Sequence, residues 1–275
     1  MRLTRYYDDN GNTRIGELTD GIVTPLEGIT TIDATTGIDR LASAAHDEAG
    51  RFRIEERALA PIADPRRVVC VGLNYLTHVD ETKRDLPTYP VLFTKFASAL
   101  IGAHEDILLP PEAGQVDYEG ELAVVIGRAG RRIPATDAAS HILGYSVAND
   151  VTMRDYQYKS HQWLQGKAWD NSTPLGPVVV TPDEVEIESQ TLTTTLNGEV
   201  VQSSSLDLLI FSISELISTV SEFTSLEPGD VVLTGTPGGV GFRRAPQLFL
   251  KDGDQISVEV TGVGKIENRV VAETF

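Results

Sequence analysis

From residue 66 onward the chain consists of short apolar runs separated by turn-forming residues, which limits what it can fold into. Continuous apolar runs of this length are typical of buried strands. One segment, 207–223, has apolar residues at helical spacing instead, with Ser205 as its expected N-cap. The pattern therefore predicts a large β-rich domain with few helices. The expected buried strands are 68–73, 119–127, 143–151, 176–181 and 192–196.

Two turn motifs predict hairpins within this domain. Asn197-Gly198 lies between two runs rich in Thr and Val, and Asn-Gly is the residue pair most typical of two-residue hairpin turns. Near the C-terminus, the runs 256–260 and 266–271 flank Gly262-Val-Gly-Lys, which predicts a second hairpin.

The first 60 or so residues have a different pattern. Three short strand-like segments are separated by Asp-Asn-Gly-Asn and Asp-Gly turns, and a stretch with helical spacing follows. Prolines then end this part, because proline disfavours helix in the residue before it. We predict a small N-terminal α+β domain at 1–62 and a larger domain at 63–275. The segments are 3–7, 14–17, 21–24 and, for the helix, 38–60.

The charge balance excludes several classes of partner. The chain has 40 Asp and Glu against 23 Lys and Arg, for a formal net charge of -17. This charge repels phosphates and anionic lipids, so we expect neither nucleic acid nor a membrane as partner. The N-terminus has no apolar signal core, no run approaches the roughly 20 apolar residues that cross a bilayer, and Cys70 is the single cysteine. A cytoplasmic protein without disulfides is the expectation.

Three acidic residues form the most informative pattern. On a strand, Glu119 and Glu121 project to the same face, where their charges repel unless a cation lies between them. Asp150, at the end of another expected buried strand, supplies a third carboxylate. These oxygens suit Mg²⁺ or Mn²⁺, with Ca²⁺ possible, whereas the five scattered histidines disfavour zinc. A solvated strand face is the alternative. Gly120, between the two glutamates, is expected to let another backbone approach from the opposite face.

A histidine and a second acid suggest proton transfer. Glu81 follows His78 by three residues, so one helical turn places both on one face, where the carboxylate fixes the imidazole tautomer. Such a pair is a general base with an orienting partner, although a surface histidine on a polar loop has the same sequence.

Further polar residues follow the predicted acidic cluster. Arg154 and Gln157 are one helical turn apart directly after Asp150, and Lys167 follows a glycine in an aromatic loop of low charge. Each of these residues alone is equally consistent with a solvated side chain. The Gly-rich segment 234–241 lacks the lysine of a phosphate-binding loop, and we expect it to present backbone N–H groups and the Thr236 hydroxyl.

Taken in order, these motifs resemble the fumarylacetoacetate hydrolase family, particularly its smaller members, over about residues 66–271. The resemblance implies a mixed β-sandwich/β-roll catalytic domain, a homodimer, and Mg²⁺ or Mn²⁺ as cofactor. The first 60 residues resemble the small variable domain that many members carry. The motifs are Gly72-Leu-Asn-Tyr, His78 with Glu81, Asp117-Tyr-Glu-Gly-Glu121, Asn149-Asp150, Gly166-Lys167 and Thr234-Gly-Thr-Pro-Gly-Gly-Val-Gly241.

The resemblance also implies a role for each site residue. The metal ligands would be Glu119, Glu121 and Asp150. The catalytic groups would be His78, Glu81 and Lys167, and the substrate contacts would be Arg154, Gln157 and Thr236. Two departures stand out: Val71 replaces a metal-binding Asp of the namesake enzyme, and Lys95-Phe96 replaces a common Lys-Pro, which is expected to reshape the pocket wall.

The expected metal ligands and the histidine–glutamate pair together predict chemistry on a small 2-oxo-carboxylate. An enolate-stabilising metal beside a general base describes a hydrolase that cleaves the C–C bond of a 2,4-dioxo acid, such as an acylpyruvate, into pyruvate and a carboxylic acid during catabolism. The same site would serve oxaloacetate decarboxylation or isomerisation of a dienoic 2-oxo acid. An alternative of another class is a non-catalytic β-domain that binds a structural ion.

Overall fold

The structure, a computed structural model, describes residues 1–53, 59–82 and 85–274. Within these residues the chain forms a mixed, sheet-rich α+β fold with short helices, which confirms the predicted fold class. No helix among the described residues is long and apolar enough to cross a membrane.

The bounds of the elements are as follows. The strands are β1 (Arg2–Tyr7), β2 (Thr13–Thr19), β3 (Ile22–Pro25), β4 (Phe52–Arg53), β5 (Val68–Gly72), β6 (Val91–Lys95), β7 (Leu100–Ile101), β8 (Ile107–Leu109), β9 (Val116–Asp117), β10 (Gly120–Ile126), β11 (Ile142–Asn149), β12 (Thr152–Met153), β13 (Thr173–Val180), β14 (Thr191–Leu196), β15 (Glu199–Ser205), β16 (Val231–Leu233), β17 (Gln255–Val260) and β18 (Gly264–Ala272). The helices are α1 (Ile38–Ala42), α2 (Leu76–Thr82), α3 (Arg154–Gln157), α4 (Leu164–Lys167) and α5 (Ile213–Phe223).

A large sheet organises the molecule, with the strand order β4-β3-β2-β1-β13-β11-β10-β16-β5-β6. Strand β7, which follows β6 closely in the chain, pairs with β13 several strands away, so the sheet curls back on itself. A second sheet, β15-β14-β17-β18-β8, packs against one face of the large one. The two-stranded ribbon β9–β12 lies beside them.

Strand β10 is buried on both faces, which explains its continuous apolar run. Leu122 and Val124 share a core with Val258 of the second sheet. The intervening residues, Ala123 and Val125, pack in a separate core that includes side chains of β1, β2 and β5. Because side chains alternate along a strand, Glu121 projects to the side opposite the second sheet.

The N-terminal strands extend the large sheet. Strand β1 pairs antiparallel with β13, and β2, β3 and β4 follow outward in order. The division into domains at 1–62 and 63–275 stays a prediction.

The helix expected over 38–60 is confirmed at its start, Ile38–Ala42, and is wrong for the described residues that follow. Only α1 is helical; a 3₁₀ turn at Glu48–Gly50 and strand β4 follow, and residues 54–58 lie outside the described residues. Pairing of β4 with β3 and a bridge from Leu26 to His46 hold this segment extended. Tertiary pairing therefore outweighs the helix propensity of its Ala, Leu and Glu residues.

Both hairpins are confirmed. Leu196 pairs with Glu199, and Asn197 and Gly198 have φ values of 51° and 87°, the left-handed conformation that a two-residue turn of this kind requires. Strands β17 and β18 pair around residues 261–263 in the same antiparallel manner.

Helix α5 begins later than the sequence pattern suggested. Ser212, not Ser205, is the N-cap, and it forms a capping box with Glu215. Leu206–Leu208 form a short 3₁₀ turn instead of the first turn of the helix. The Asn74 side chain accepts a hydrogen bond from Phe211 N at 2.7 Å and donates to Phe211 O at 3.1 Å, so Phe211 is held outside the helix. This long-range contact is not readable from helical spacing.

The capping box should be measurable in stability. We expect Ser212→Ala to lower the free energy of unfolding by about 1 kcal/mol, because it leaves the Glu215 N–H without its acceptor. Urea denaturation measures this change. Ser218→Ala removes a hydroxyl from the same helix outside the cap and is the control; an equal loss in both variants would contradict the capping role.

Candidate active site

The site lies where four strands of the large sheet end or begin at one edge. β10 starts and β11 ends there, since Gly120 pairs with Asn149; β16 and β5 run parallel to each other and end beside them. Glu119, Asp150 and the Gly-rich loop therefore converge just beyond the strands. A cavity opens at this edge, and His78, Glu119, Glu121 and Lys167 line it.

The three predicted acidic residues meet in this region. Carboxylate oxygens of Glu119, Glu121 and Asp150 lie within 4.8 Å of one another, and all three side chains are buried. Hydrogen bonds from backbone N–H groups position two of the three residues. Glu119 N donates to Asn149 Oδ1 at 3.0 Å, and Asp150 N donates to Glu119 O at 2.8 Å. The alternative interpretation, in which these acids lie on a solvated strand face, is therefore wrong.

Two cations balance part of this charge. Lys167 Nζ lies 2.6 Å from Glu119 Oε2 and 2.7 Å from Asp150 Oδ2, and Arg154 Nη2 lies 2.6 Å from Glu119 Oε1. Burial alone would raise the pKa of Glu119, but Lys167 and then Arg154 outweigh it and lower this pKa to about 2. Lys167 is buried at the end of helix α4, not in the loop that the sequence suggested.

Glu121 differs from its two neighbours. Its Oε2 accepts a hydrogen bond from Gly235 N at 2.8 Å, and no basic side chain of the described residues forms a salt bridge with it. Burial, then Asp150 and Glu119, raise its pKa well above the usual value. A divalent cation would supply the missing positive charge, and three carboxylate oxygens are the ligands that Mg²⁺ and Mn²⁺ prefer. The residues present therefore fit a divalent metal.

Lys95 is a site residue that the sequence analysis placed differently. It was expected to reshape the pocket wall together with Phe96, but Phe96 is exposed and Lys95 is buried behind Asp150. Lys95 Nζ lies 2.7 Å from Asp150 Oδ1 and donates to Val151 O at 3.1 Å. Asp150 is thus held by Lys95 on one oxygen and by Lys167 on the other. A lone lysine at the end of an apolar strand was the available signal.

Asp117 is a second residue whose role the sequence analysis missed. Its fully buried carboxylate accepts hydrogen bonds from Arg154 Nε at 2.9 Å, Gly241 N at 2.8 Å and Phe242 N at 3.0 Å. It therefore joins Arg154 to the loop that follows the Gly-rich segment. Its spacing of two residues from Glu119 was the only sequence signal. Arg154 Nη1 also donates to Gln157 Oε1 at 3.0 Å, as their helical spacing predicted.

His78 and Glu81 form the expected pair on helix α2. His78 Nδ1 lies 2.7 Å from Glu81 Oε1, and Glu81 Oε2 accepts a hydrogen bond from Gly239 N at 2.9 Å. Because a carboxylate only accepts, this contact requires the proton on Nδ1, which in the neutral ring leaves the lone pair on Nε2. The histidine is nearly buried and lines the cavity, so the surface-loop alternative is wrong.

The Gly-rich loop presents backbone N–H groups as expected, but to protein side chains. Gly235 donates to Glu121, Gly238 to Thr77, Gly239 to Glu81 and Gly241 to Asp117. The loop therefore fixes the site residues directly.

Thr236 lines the cavity, and its hydroxyl is engaged in a chain of hydrogen bonds. It donates to Gly120 O at 2.9 Å and accepts from Gln202 Nε2 at 2.8 Å. On its other face Gly120 meets the side chains of Thr194 and Val258, not the backbone that we expected there.

The fold and the site together define a class: a sheet-rich α+β protein with a buried three-carboxylate cluster, two lysines and a histidine–glutamate pair at one sheet edge. Residues 67–271 match the family profile "Fumarylacetoacetate (FAA) hydrolase C-terminal". The chain belongs to the fumarylacetoacetate hydrolase family, as the motifs indicated.

Three similar proteins illustrate how members of this family are named. Bovine (Bos taurus) "Oxaloacetate tautomerase FAHD2A, mitochondrial" is 48% identical over 222 residues, which are 80% of this chain and 71% of that protein. The structure of 5-carboxymethyl-2-hydroxymuconate delta-isomerase from Mycobacterium smegmatis has a TM-score of 0.85 and 36% identity, and the match covers 99% of this chain and 100% of that one. The structure of 2-hydroxyhepta-2,4-diene-1,7-dioate isomerase from Mycobacterium marinum has a TM-score of 0.83 and 34% identity over 100% of both chains.

These names agree with the expectation of a small family member that is an enzyme acting on a small molecule. The bovine relative is named as mitochondrial. The cytoplasmic location, the homodimer and the individual residue roles expected from the sequence stay predictions.

Glu121 provides a test of the metal site. We expect Glu121→Gln to raise the melting temperature of the metal-free protein by about 3 °C, the shift that roughly 1 kcal/mol produces in a chain of this size, because the neutral amide avoids the cost of either burying this carboxylate without a basic partner or protonating it on folding. The same variant should lose the stabilisation that Mg²⁺ or Mn²⁺ gives the wild type. Differential scanning calorimetry with and without metal measures both effects.

Glu199→Gln is the matched control, since Glu199 is exposed on β15. A Glu121→Gln variant that is stabilised by metal as strongly as the wild type would contradict the assignment of this residue as a ligand.

The buried Lys95–Asp150 pair can be tested against an exposed pair. We expect Lys95→Met to lower the free energy of unfolding by about 3 kcal/mol, because it removes one charge of a buried pair. Lys265, which lies 2.7 Å from Glu267 on the surface of β18, is the control: Lys265→Met should cost less than about 1 kcal/mol. Equal losses of unfolding free energy in the two variants, measured by urea denaturation, would show that burial does not strengthen the Lys95–Asp150 pair.

Proposed function

We propose that this chain is an oxaloacetate tautomerase, which moves a proton between C3 and the oxygen of the 2-oxo group. The observation that carries the proposal is the His78–Glu81 pair, held at 2.7 Å in the wall of a cavity that Glu119, Glu121 and Lys167 also line. The bovine relative is named for this reaction, and the two solved structures are named as isomerases.

The proposed chemistry begins at His78. Its Nε2 lone pair takes a proton from C3, which is acidic because carbonyl groups flank it on both sides. Glu81 stabilises the resulting imidazolium, as it accepts a hydrogen bond from Nδ1 while Gly239 holds its second oxygen. The general-base contribution of such a pair is about 10²- to 10⁴-fold in rate.

The negative charge left on the substrate moves to the 2-oxo oxygen. Lys167, a buried cation whose pKa Asp150 and Glu119 raise against the opposing effect of burial, stabilises that oxygen without giving up its own proton. The imidazolium of His78 then gives up the proton taken from C3 to that oxygen, directly or through water, which yields the enol and restores the neutral base; the reverse steps regenerate the ketone. A Mg²⁺ or Mn²⁺ ion held by Glu119, Glu121 and Asp150 would supply Lewis-acid polarisation of the same group.

The remaining polar residues orient the substrate carboxylate. Arg154 is fixed by Asp117 and Glu119, and it holds Gln157 through the amide oxygen. Gln157 thereby keeps its amide N–H groups as donors toward the cavity that it lines. Thr236 contributes through Gly120 and Gln202, which position the start of β10.

Hydrolysis of an acylpyruvate is the second candidate. A histidine that a carboxylate holds in one tautomer can deprotonate water as well as carbon, and attack of that water on a second carbonyl would cleave the C–C bond. Oxaloacetate decarboxylation would pass through the same enolate. A structural ion site would need neither the His78–Glu81 pair nor the buried Lys167.

Product identity decides among these reactions. We expect the purified protein with Mg²⁺ to accelerate enol–keto conversion of oxaloacetate, followed by ultraviolet absorbance, and His78→Ala to lower kcat/KM by about 10²- to 10⁴-fold. The panel also contains acetylpyruvate, fumarylpyruvate and a 2,4-dioxo-3-deoxy sugar acid, with pyruvate and CO₂ measured.

His104→Ala, at an exposed histidine, is the control for this measurement. Pyruvate and a carboxylic acid from a diketone, with oxaloacetate tautomerisation unchanged over background, would replace the tautomerase with the hydrolase. CO₂ from oxaloacetate as the main product would favour the decarboxylase.

A further inference from the structure

A short loop at the mouth of the cavity is fixed by hydrogen bonds, and the side chain of one of its two arginines takes no part in them. We call residues 240–244 the mouth loop. Gly241 N and Phe242 N donate to Asp117, while Arg244 donates from Nε to Gly239 O at 3.0 Å and from Nη2 to Val201 O at 2.5 Å. Hydrogen bonds therefore fix the backbone on both sides of Arg243.

Arg243 differs from the other arginines of the site. Its side chain is exposed and lines the cavity, and it makes no salt bridge with any residue that the structure describes. Arg154, by contrast, is neutralised by Asp117 and Glu119. Arg244 also makes no salt bridge with a described residue, but its guanidinium donates to the backbone oxygens of Gly239 and Val201.

Aromatic rings connect this arginine to the buried part of the site. The Arg243 guanidinium lies 5.0 Å from the centroid of the Phe242 ring, and the Arg154 guanidinium lies 5.8 Å from the same centroid. Tyr158 stacks on Phe242 with centroids 5.4 Å apart. The guanidinium groups of Arg243 and Arg154 thus both lie near the Phe242 ring, and this ring supports the Arg243 side chain.

We infer that Arg243 binds the distal carboxylate of the substrate and so makes the enzyme selective for dicarboxylic 2-oxo acids. This inference rests on the proposed function, because it takes the 2-oxo-carboxylate end to lie among Lys167, Arg154 and Gln157. A dianionic substrate then meets the paired cations Lys167 and Arg154 at one end of the cavity and the unneutralised Arg243 at the other. Arg243 also offsets, at the entrance, the repulsion between an acidic protein and an anionic ligand.

Oxaloacetate and pyruvate form a matched pair for the test, since they differ only by the distal carboxylate. Calorimetric titration of the Mg²⁺-loaded protein gives the affinity for each compound without requiring turnover. We expect Arg243→Gln to weaken oxaloacetate binding and raise its KM by about tenfold, with kcat and pyruvate affinity unchanged. Arg243→Lys, which keeps the charge, should restore part of the affinity.

Arg128→Gln is the control, because it removes the same charge from an exposed residue just beyond the far end of β10. Equal affinity of the wild type for oxaloacetate and pyruvate, or an Arg243→Gln variant that weakens both compounds alike, would overturn the inference. If the wild type prefers oxaloacetate through Arg243 yet does not convert it, the inference stands and the proposed function fails. If the wild type converts oxaloacetate and Arg243→Gln leaves the KM for oxaloacetate unchanged, the proposed function stands and the inference about Arg243 fails.

Discussion

Three carboxylates buried within 4.8 Å of one another repel strongly, and the arrangement of the site follows from the need to offset that repulsion. Lys167 contacts two of them, Lys95 holds the outer oxygen of Asp150, and Arg154 holds Glu119. These cations come from separate parts of the chain, at the end of β6 and in two short helices after β11. Glu121 receives only a backbone N–H group, so the cluster retains an excess of negative charge where a divalent cation fits.

The fold could be predicted where local pattern decides it. Buried strands such as β10 and β11 follow from continuous apolar runs, and Asn197-Gly198 sets its hairpin because both residues adopt a left-handed conformation. The boundaries of α5 and the structure of 38–53 could not be predicted in the same way. They depend on partners distant in sequence: Asn74 for the residues before α5, and strand β3 for β4.

The candidate site shows the same division. Glu119 with Glu121, and His78 with Glu81, could be grouped because strand and helix periodicity place each pair on one face. The roles of Asp117 and Lys95 were missed because their partners lie 37 and 55 residues away, respectively. Pairing of β9 with β12 brings Asp117 to Arg154, and the large sheet brings Lys95 to Asp150. Buried ion pairs of this kind leave no periodic signal in the sequence, so the residues that orient the site are harder to find than those that line it.

Asp117 holds the mouth loop through backbone N–H groups of Gly241 and Phe242, not through their side chains. Substitutions at 242 and 243 therefore change the lining of the cavity mouth while the anchoring hydrogen bonds persist. This separation gives the fold evolutionary freedom: substrate range can diverge at two positions while the acidic cluster and its cations stay under constraint.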